Sequence, residues 1–397
     1  RRPPRSTRKE SSAASDVYKR QDVDLIVIGA GLSGCALVFR LRQLGWKGQI
    51  ALVEAGRGPG GRSASRRRRD QSAWRLDHGS PGLHFSQPVV AELDPLLSSM
   101  REAGLLVEEE AAVISINADG QPTDNGSDAQ PEGGWWRGKP CMASLCEHLL
   151  KQAGAEQLAF HWQRRVRWLS RRDGQWTLSD QDNAWQLKGR NLVLSGNLLA
   201  HPRSLAMLNW PDVPLREAVP AGVDVDLDQA LNQLARCSAD VRWNLMLDLP
   251  LEGSTLPRQI WLTAEAQKRW GVERLVLHAQ DNGRTGLVVH GLHDGSSITP
   301  ESQPELLASH EKRLIAVLQQ MLVGMPSLQA ACRQATSLGV MRWGASQPLD
   351  HPLQKRLQWC PISKVGFCGD FVEGTGFGRA QGALESGVLL ANRLVSA

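Results

Sequence analysis

Residues 22–54 read DVDLIVIGAGLSGCALVFRLRQLGWKGQIALVE, and this stretch decides the fold. Val23 to Ile28 is an unbroken apolar run, the signature of a strand buried on both faces of a parallel sheet. It breaks at Gly29, and apolar residues at helical spacing follow to Leu44, where Gly45 ends them. A second strand, Gln49 to Val53, finishes in Glu54. The order is strand, helix, strand. Between the first strand and the helix stands Gly29-Ala30-Gly31-Leu32-Ser33-Gly34, a GxGxxG. In that position the first glycine allows a tight turn, the second lets backbone approach a pyrophosphate, and the third lets helix and strand pack closely. The phosphates then meet free N–H groups at the helix N-terminus. Glu54 stands where an acid accepts from ribose hydroxyls. The unit predicts a dinucleotide-binding Rossmann-type domain, and by itself it does not separate FAD from NAD.

The chain has 397 residues, a natural length for two domains, with 41% hydrophobic and 22% charged residues. No apolar run approaches the roughly 18 residues of a membrane span. The net charge of +5 invites a nucleic-acid reading, but its location removes it. Residues 1–21 hold seven of the 46 Lys/Arg and two of the 41 Asp/Glu, which leaves 39 of each in the remainder. A neutral body has no electrostatic footprint for nucleic acid. Residues 1–21 lack apolar periodicity and a signal-type core, and are expected to be a disordered tail of sequencing-artefact origin. The 7 cysteines form no CxxC and no zinc-type spacing, which predicts reduced thiols, no metal and a cytoplasmic protein. Tyr18, the only tyrosine, lies in that tail, against 14 tryptophans in all.

Beyond the first unit, Met142, Leu145, Cys146, Leu149 and Leu150 predict a helix stopped by Gly154. Residues 119–134 read as a flexible surface loop. Asp173-Gly174 and Asn282-Gly283 are hairpin turns between apolar runs. Trp185 to Leu187 and Asn191 to Leu194 read as separate short strands, Glu305 to Val323 as an amphipathic helix, and Val365 to Cys368 as a last strand before a closing helix.

Three further stretches carry a family resemblance. Glu54-Ala55-Gly56-Arg57-Gly58-Pro59-Gly60-Gly61-Arg62 resembles the Glu-Ala…Gly-Gly-Arg extension of the amine oxidase and renalase-like flavoproteins. Phe367-Cys368-Gly369-Asp370, followed by Gly382-Ala383-Leu384-Glu385-Ser386-Gly387, resembles their C-terminal flavin motif. Residues 56–85, GRGPGGRSASRR…AWRLDHGSPGLHF, are similar to the bacterial renalase-like oxidoreductases, with softer echoes at 138–149, 241–249, 274–279 and 341–348. Where that group commonly has Asp-His-Gly-Ala-Gln-Tyr-Phe, this chain has Asp77-His78-Gly79-Ser80-Pro81-Gly82-Leu83. Gly344 also follows Trp343 where a larger residue is usual.

The resemblance implies FAD held non-covalently. Gly60 and Gly61 would wrap the pyrophosphate and Arg62 would supply a fork of donors. Gly369 and Asp370 would meet the ribityl chain and phosphate, and the helix opening at Gly382-Ala383 would aim its positive end at the flavin. Asp77 and His78 would lie near the flavin, and the Val166 backbone would meet adenine. His78 and Trp343 are the candidates for handling substrate. Arg66 or Arg67 would neutralise pyrophosphate or meet an anionic substrate, against a plain reading as a solvated loop.

The expected fold is α/β: an FAD/NAD(P)-binding Rossmann-type domain with an inserted α+β substrate domain. The boundaries are drawn at 22–90, 136–215 and 346–397 for the first domain, and 91–135 with 216–345 for the second. The implied activity is oxidation of a small reduced substrate by hydride transfer to flavin, with O2 as the expected reoxidant. A renalase-like substrate would be a dihydronicotinamide nucleotide isomer. Amine oxidase, polyene or porphyrin desaturase, and a flavin- or nucleotide-sensing protein without turnover are the alternatives.

Overall fold

A computed structural model describes residues 22–86, 89–109, 114–123, 134–205, 209–253, 256–295 and 298–396. The tail at 1–21 and most of the expected loop at 119–134 lie outside the described residues. Along the chain, the strands of the two large sheets and the longer helices are β1 (Asp22–Ile28), α1 (Leu32–Gln43), β2 (Ile50–Val53), α2 (Asp94–Glu102), β3 (Ile114–Ile116) and β4 (Pro122–Thr123). Next come α3 (Ala143–Gln152), β5 (Leu158–His161), β6 (Trp168–Arg172), β7 (Gln175–Ser179), β8 (Gln186–Leu194) and α4 (Val225–Arg236). The rest are β9 (Arg242–Leu249), β10 (Gln259–Leu262), β11 (Val272–Ala279), β12 (Thr285–Gly291), α5 (Gln303–Met321), β13 (Thr336–Trp343), β14 (Trp359–Cys360), β15 (Val365–Phe367) and α6 (Ala380–Ser396).

The first sheet runs β5-β2-β1-β8-β7-β6, with β15 beside β8 and β14 beside β15. Its β5, β2, β1, β8 and β15 pair in parallel, and β8, β7 and β6 form the antiparallel meander. Alternation along β1 explains its unbroken hydrophobicity. Leu25 and Val27 pack under α1, α3 and α6, while Val23 and Ile26 pack on the opposite face with Trp176, Leu187 and Phe367. Both faces are covered, so neither tolerates polarity. The helices α1 and α6 approach closely: a Cβ at Gly387 would stand 2.3 Å from the Ser33 carbonyl oxygen.

The second sheet runs β13-β9-β12-β11-β10-β3-β4. Leu245, Leu247 and Leu249 face Leu314, Leu318 and Met321 of α5. The alternate residues of β9 face the other way, where Met246 joins Trp74, Leu76, Val276 and Val288.

Three sequence expectations change. The runs 185–187 and 191–194 are parts of one strand, β8, because Lys188 and Gly189 pair with β1 and β7 without a break. Residues 91–106 do not go with the second sheet: Leu93, Leu96, Leu97, Met100 and Leu106 complete the core under α1 and α3. Residues 216–237 also stay with the first sheet, through Val219, Leu227, Ala230, Leu231 and Leu234. Among the described residues of 91–135, β3 and β4 are the strands that join the second sheet. The 7 cysteines are all buried and unbridged, and among the described residues no helix is long and apolar enough to cross a membrane.

Candidate functional site

One cavity of about 670 Å³ opens between the two sheets. Its first end is made of glycine. Gly29 and Gly31 line it from the turn before α1, Leu32 and Ser33 from the first turn of α1, and Glu54, Gly60, Gly61 and Arg62 from the loop after β2. These two segments meet backbone to backbone. Gly31 and Gly60 form an isolated parallel bridge, and the Gly60 N–H donates to the Ala30 carbonyl at 2.8 Å. Gly60 sits at φ +139°, and a Cβ there would lie 2.6 Å from Ala64 Cα. No side chain can be added at this crossing without moving backbone. Glu54 Oε2 accepts from the Ala30 N–H at 2.9 Å and Oε1 from the Gly56 N–H at 2.6 Å. Each oxygen keeps a further lone-pair direction for a ligand hydroxyl.

Gly34 serves packing: a Cβ there would stand 2.2 Å from the Gly29 carbonyl oxygen. Gly382 does the same against Gly376, at 2.2 Å from its carbonyl oxygen. Ala383 and Asp370 line the cavity, whereas Gly369 turns its N–H onto Ser386 Oγ at 2.8 Å. Ala55 and Val166 are outside the lining, and Val166 packs in the second-face core of the first sheet.

Arg62 is placed differently from the expectation that its fork is open. Nη1 and Nη2 each donate to one oxygen of Asp370 at 2.6 Å, and Nη1 also reaches the Ser346 carbonyl at 2.9 Å. Burial works against the guanidinium charge, but the Asp370 charge and hydrogen bonds outweigh it and raise the pKa. Arg66 and Arg67 are also corrected, for neither lines the cavity. Arg66 donates to the Leu338 carbonyl at 2.6 Å, and Arg67 pairs with Glu147.

Asp77 sits beneath the site rather than in its wall. Its Oδ1 accepts from Ser65 Oγ at 2.5 Å and from the Met142 N–H at 3.0 Å, which ties α3 to the loop. Burial raises its pKa against those bonds and nearby Arg258. The His78 imidazole does not line the cavity either. It packs 5.6 Å from the Trp343 ring, and burial, aided by Arg66, pulls its pKa down to about 4. A neutral, enclosed ring is poorly placed to exchange protons with a ligand. The His78 carbonyl is the working part, accepting from Trp343 Nε1 at 3.2 Å and Asn244 Nδ2 at 3.0 Å. Trp343 does line the cavity.

The far wall contains residues that sequence reasoning did not single out. Asn244, His290, Arg274 and Trp261 stand directly opposite one another on β9, β12, β11 and β10. All four line the cavity, with Arg242 and Glu273 beside them. Glu273 pairs with Arg242 Nη1 at 2.8 Å and Arg274 Nε at 3.3 Å. Burial alone would raise the Glu273 pKa, but Arg274 and then Arg242 hold it below the ordinary carboxylate value. Arg274 lies over Trp261, 4.6 Å from the ring centroid. Arg203 lines the wall nearer Asp370, with Nη2 on Asn197 and Nη1 buried without a partner. The available signal was Arg242, Asn244 and Asp248 at even positions of the strand RWNLMLDL, which puts all three on one face.

Residues 27–93 match the model of an NAD(P)-binding Rossmann-like domain. No curated protein sequence matches. Among solved structures, the chain is similar to a putrescine oxidase bound to putrescine, at 12% identity and TM-score 0.61, covering 95% of this chain and 100% of that one. It is similar to cyclohexylamine oxidase from Brevibacterium oxydans at 15% identity and TM-score 0.61, covering 95% and 99%. An oxidoreductase from Methanosarcina mazei gives 13% identity and TM-score 0.61, covering 93% and 100%. The chain has a mixed α/β fold similar to that of these structures, with a Rossmann-like NAD(P)-binding domain over residues 27–93.

Proposed function

We propose that this chain is an FAD-dependent oxidoreductase that takes hydride from a small reduced substrate held against its second sheet. One observation carries the reading: the glycine crossing, the Asp370 end and the polar wall of β9, β12 and β11 all line a single cavity. A nucleotide seat and a substrate seat therefore share one space, as flavin chemistry requires.

The residues present fit the cofactor. Glu54 offers acceptors to a ribose. Gly31, Gly60, Gly61 and the N-terminus of α1 leave bare backbone for a pyrophosphate. Arg203 Nη1, buried and unpartnered, supplies a donor for a phosphate or ribityl oxygen. Asp370 and Ala383 would meet the ribityl and ring end. Val166, through its backbone, remains the candidate for adenine. When bound, FAD supplies the two-electron acceptor, with O2 as the proposed reoxidant. The chain positions substrate and excludes water: Trp343 walls one side, and the loop at Gly79 closes against Arg62, whose carbonyl accepts from the Ser80 N–H at 2.7 Å. No acid–base dyad is assigned.

The far wall favours a substrate with an anionic or strongly polar head. Arg242 pairs with Glu273 and Asp240, and Arg274 with Glu273; the two guanidinium groups give the wall N–H donors that an acceptor-bearing head satisfies and a protonated amine, itself only a donor, does not. A dihydronicotinamide nucleotide, the renalase-like substrate, suits this wall. Amine oxidation is the second reading, favoured by the fold shared with putrescine and cyclohexylamine oxidases. Among the described residues there is no tyrosine to cage an amine; the sole one, Tyr18, lies outside them.

Anaerobic titration of the purified protein with isomeric dihydronicotinamides, NAD(P)H and amines, followed by flavin bleaching, tests the reading. Bleaching by a dihydronicotinamide isomer supports it, and bleaching by amines alone selects the second. A yellow protein that none of them bleaches points to a polyene-type substrate or a sensor. Protein that stays colourless with added FAD overturns the proposal.

A further inference from the structure

Asn244 and His290 stand opposite each other on β9 and β12, are 2% and 3% exposed, and both line the cavity. Their contacts fix their chemistry. A carbonyl oxygen only accepts, so the Asn244 atom 3.0 Å from the His78 carbonyl is Nδ2, donating one proton. The same Nδ2 lies 3.2 Å from His290 Nδ1. It gives its second proton there, so Nδ1 accepts. Burial first, then Arg274 and Arg242, hold the His290 pKa well below the usual imidazole value. The ring is neutral and its single proton sits on Nε2.

Two atoms are left over. Asn244 Oδ1 is an acceptor and His290 Nε2–H a donor, and both are buried without a partner. Buried polar groups in folded proteins are ordinarily paired, so an orphan acceptor and an orphan donor on two paired residues of a cavity wall mark a ligand's place. A carboxylate would set an acceptor against Oδ1. An ammonium would set a donor against Nε2–H. Of these three head groups the amide edge satisfies both, giving N–H to Oδ1 and taking Nε2–H on its carbonyl. Arg274, directly opposite His290 on β11, lines the same cavity.

We propose that Asn244 and His290 form an amide-reading pair that selects substrates carrying a primary carboxamide or the cis-amide of a ring. The inference rests on the proposed reading only in that the substrate enters this cavity; it does not depend on the redox step.

Benzamide, benzoate and benzylamine share a ring and differ only in the head group. Binding of each to the full-length, flavin-loaded protein is followed by quenching of tryptophan fluorescence, since Trp135, Trp261 and Trp343 line the cavity. Benzamide is expected to bind at least about tenfold more tightly than either analogue. Asn244→Leu and His290→Phe should each erase that preference. His290→Gln, which keeps an N–H donor at similar reach, should retain it and so separates lost recognition from lost folding. Benzoate or benzylamine binding as tightly as benzamide overturns the inference, as does failure of all three to bind or a preference that survives Asn244→Leu. The colour of the protein reports separately on the flavin, so the two proposals can fail independently.

Discussion

Arg62 and Asp370 form a two-pronged ion pair, both contacts at 2.6 Å, between residues 308 positions apart. It fastens the loop after β2 to the turn after β15, the two segments that frame one end of the cavity. Asp370 is 7% exposed in its side chain, and Arg62 38%. Arg62→Ala strands a buried carboxylate, while solvent at the arginine softens the loss. Unfolding in urea should show about 1–3 kcal/mol less stability. Arg62→Lys, which keeps the charge but not the fork, should fall between. An unchanged urea midpoint for Arg62→Ala would remove the pair from any structural role.

Gly60 and Gly58 separate backbone need from sequence habit. At Gly60 the left-handed backbone and the 2.6 Å approach to Ala64 Cα leave no room for a methyl group. At Gly58 a Cβ would meet nothing within 4 Å. Gly60→Ala should cost at least about 1–3 kcal/mol and weaken retention of flavin. Gly58→Ala should stay within about 0.5 kcal/mol of the parent. Equal effects in thermal melts would contradict this account of the crossing.

Acid should destabilise the protein through buried histidines. Burial, then Arg203, lower His201 from 6.5 to about 4, against a hydrogen bond to the Cys237 backbone. Between those values the unfolded chain takes up a proton that the folded chain refuses. Stability therefore falls as pH drops from 6.5 towards 4, by about 1.4 kcal/mol per pH unit for each such imidazole. His78 has the same direction and value. His201→Gln should flatten the slope by one proton relative to the parent. Denaturation series at several pH values measure this, and parallel slopes would refute it.

Glu273 keeps Arg242 and Arg274 together in the wall. Glu273→Gln leaves two buried guanidinium groups facing each other without their shared carboxylate. A loss of about 3 kcal/mol is expected, together with severalfold tighter benzoate binding as the wall becomes more positive. If benzoate affinity does not rise, these arginines do not set the charge felt by a ligand.

How much was legible in the sequence follows the distance over which each signal acts. The first βαβ unit is coded within residues 22–54, where apolar runs, the glycine turn and Glu54 need no knowledge of the rest of the chain. The hairpins at Asp173-Gly174 and Asn282-Gly283 are equally local, and both pairs of strands form as expected. Placement of α2 was missed because its apolar face, Leu96, Leu97 and Met100, fits either core by composition; only the fold assigns it to α1 and α3. The wall of the cavity was hidden for a related reason. Asn244, His290 and Arg274 become neighbours only through strand register, and a shift of one residue would point each of them into the core behind the sheet. His78 shows the limit from the other side: residue identity drew attention to its ring, while the contacts that organise the wall belong to its carbonyl.

One edge of β8 is shared. Gln186–Gly189 pair with the preceding β7, and Leu192–Leu194 with the sequence-distant β15. A nascent polypeptide therefore cannot finish this sheet until Val365–Phe367 has been made. Products that stop short of residue 365 would keep a bare apolar strand edge, open to pairing with another molecule, and quality control would meet them as sticky intermediates rather than as smaller working proteins.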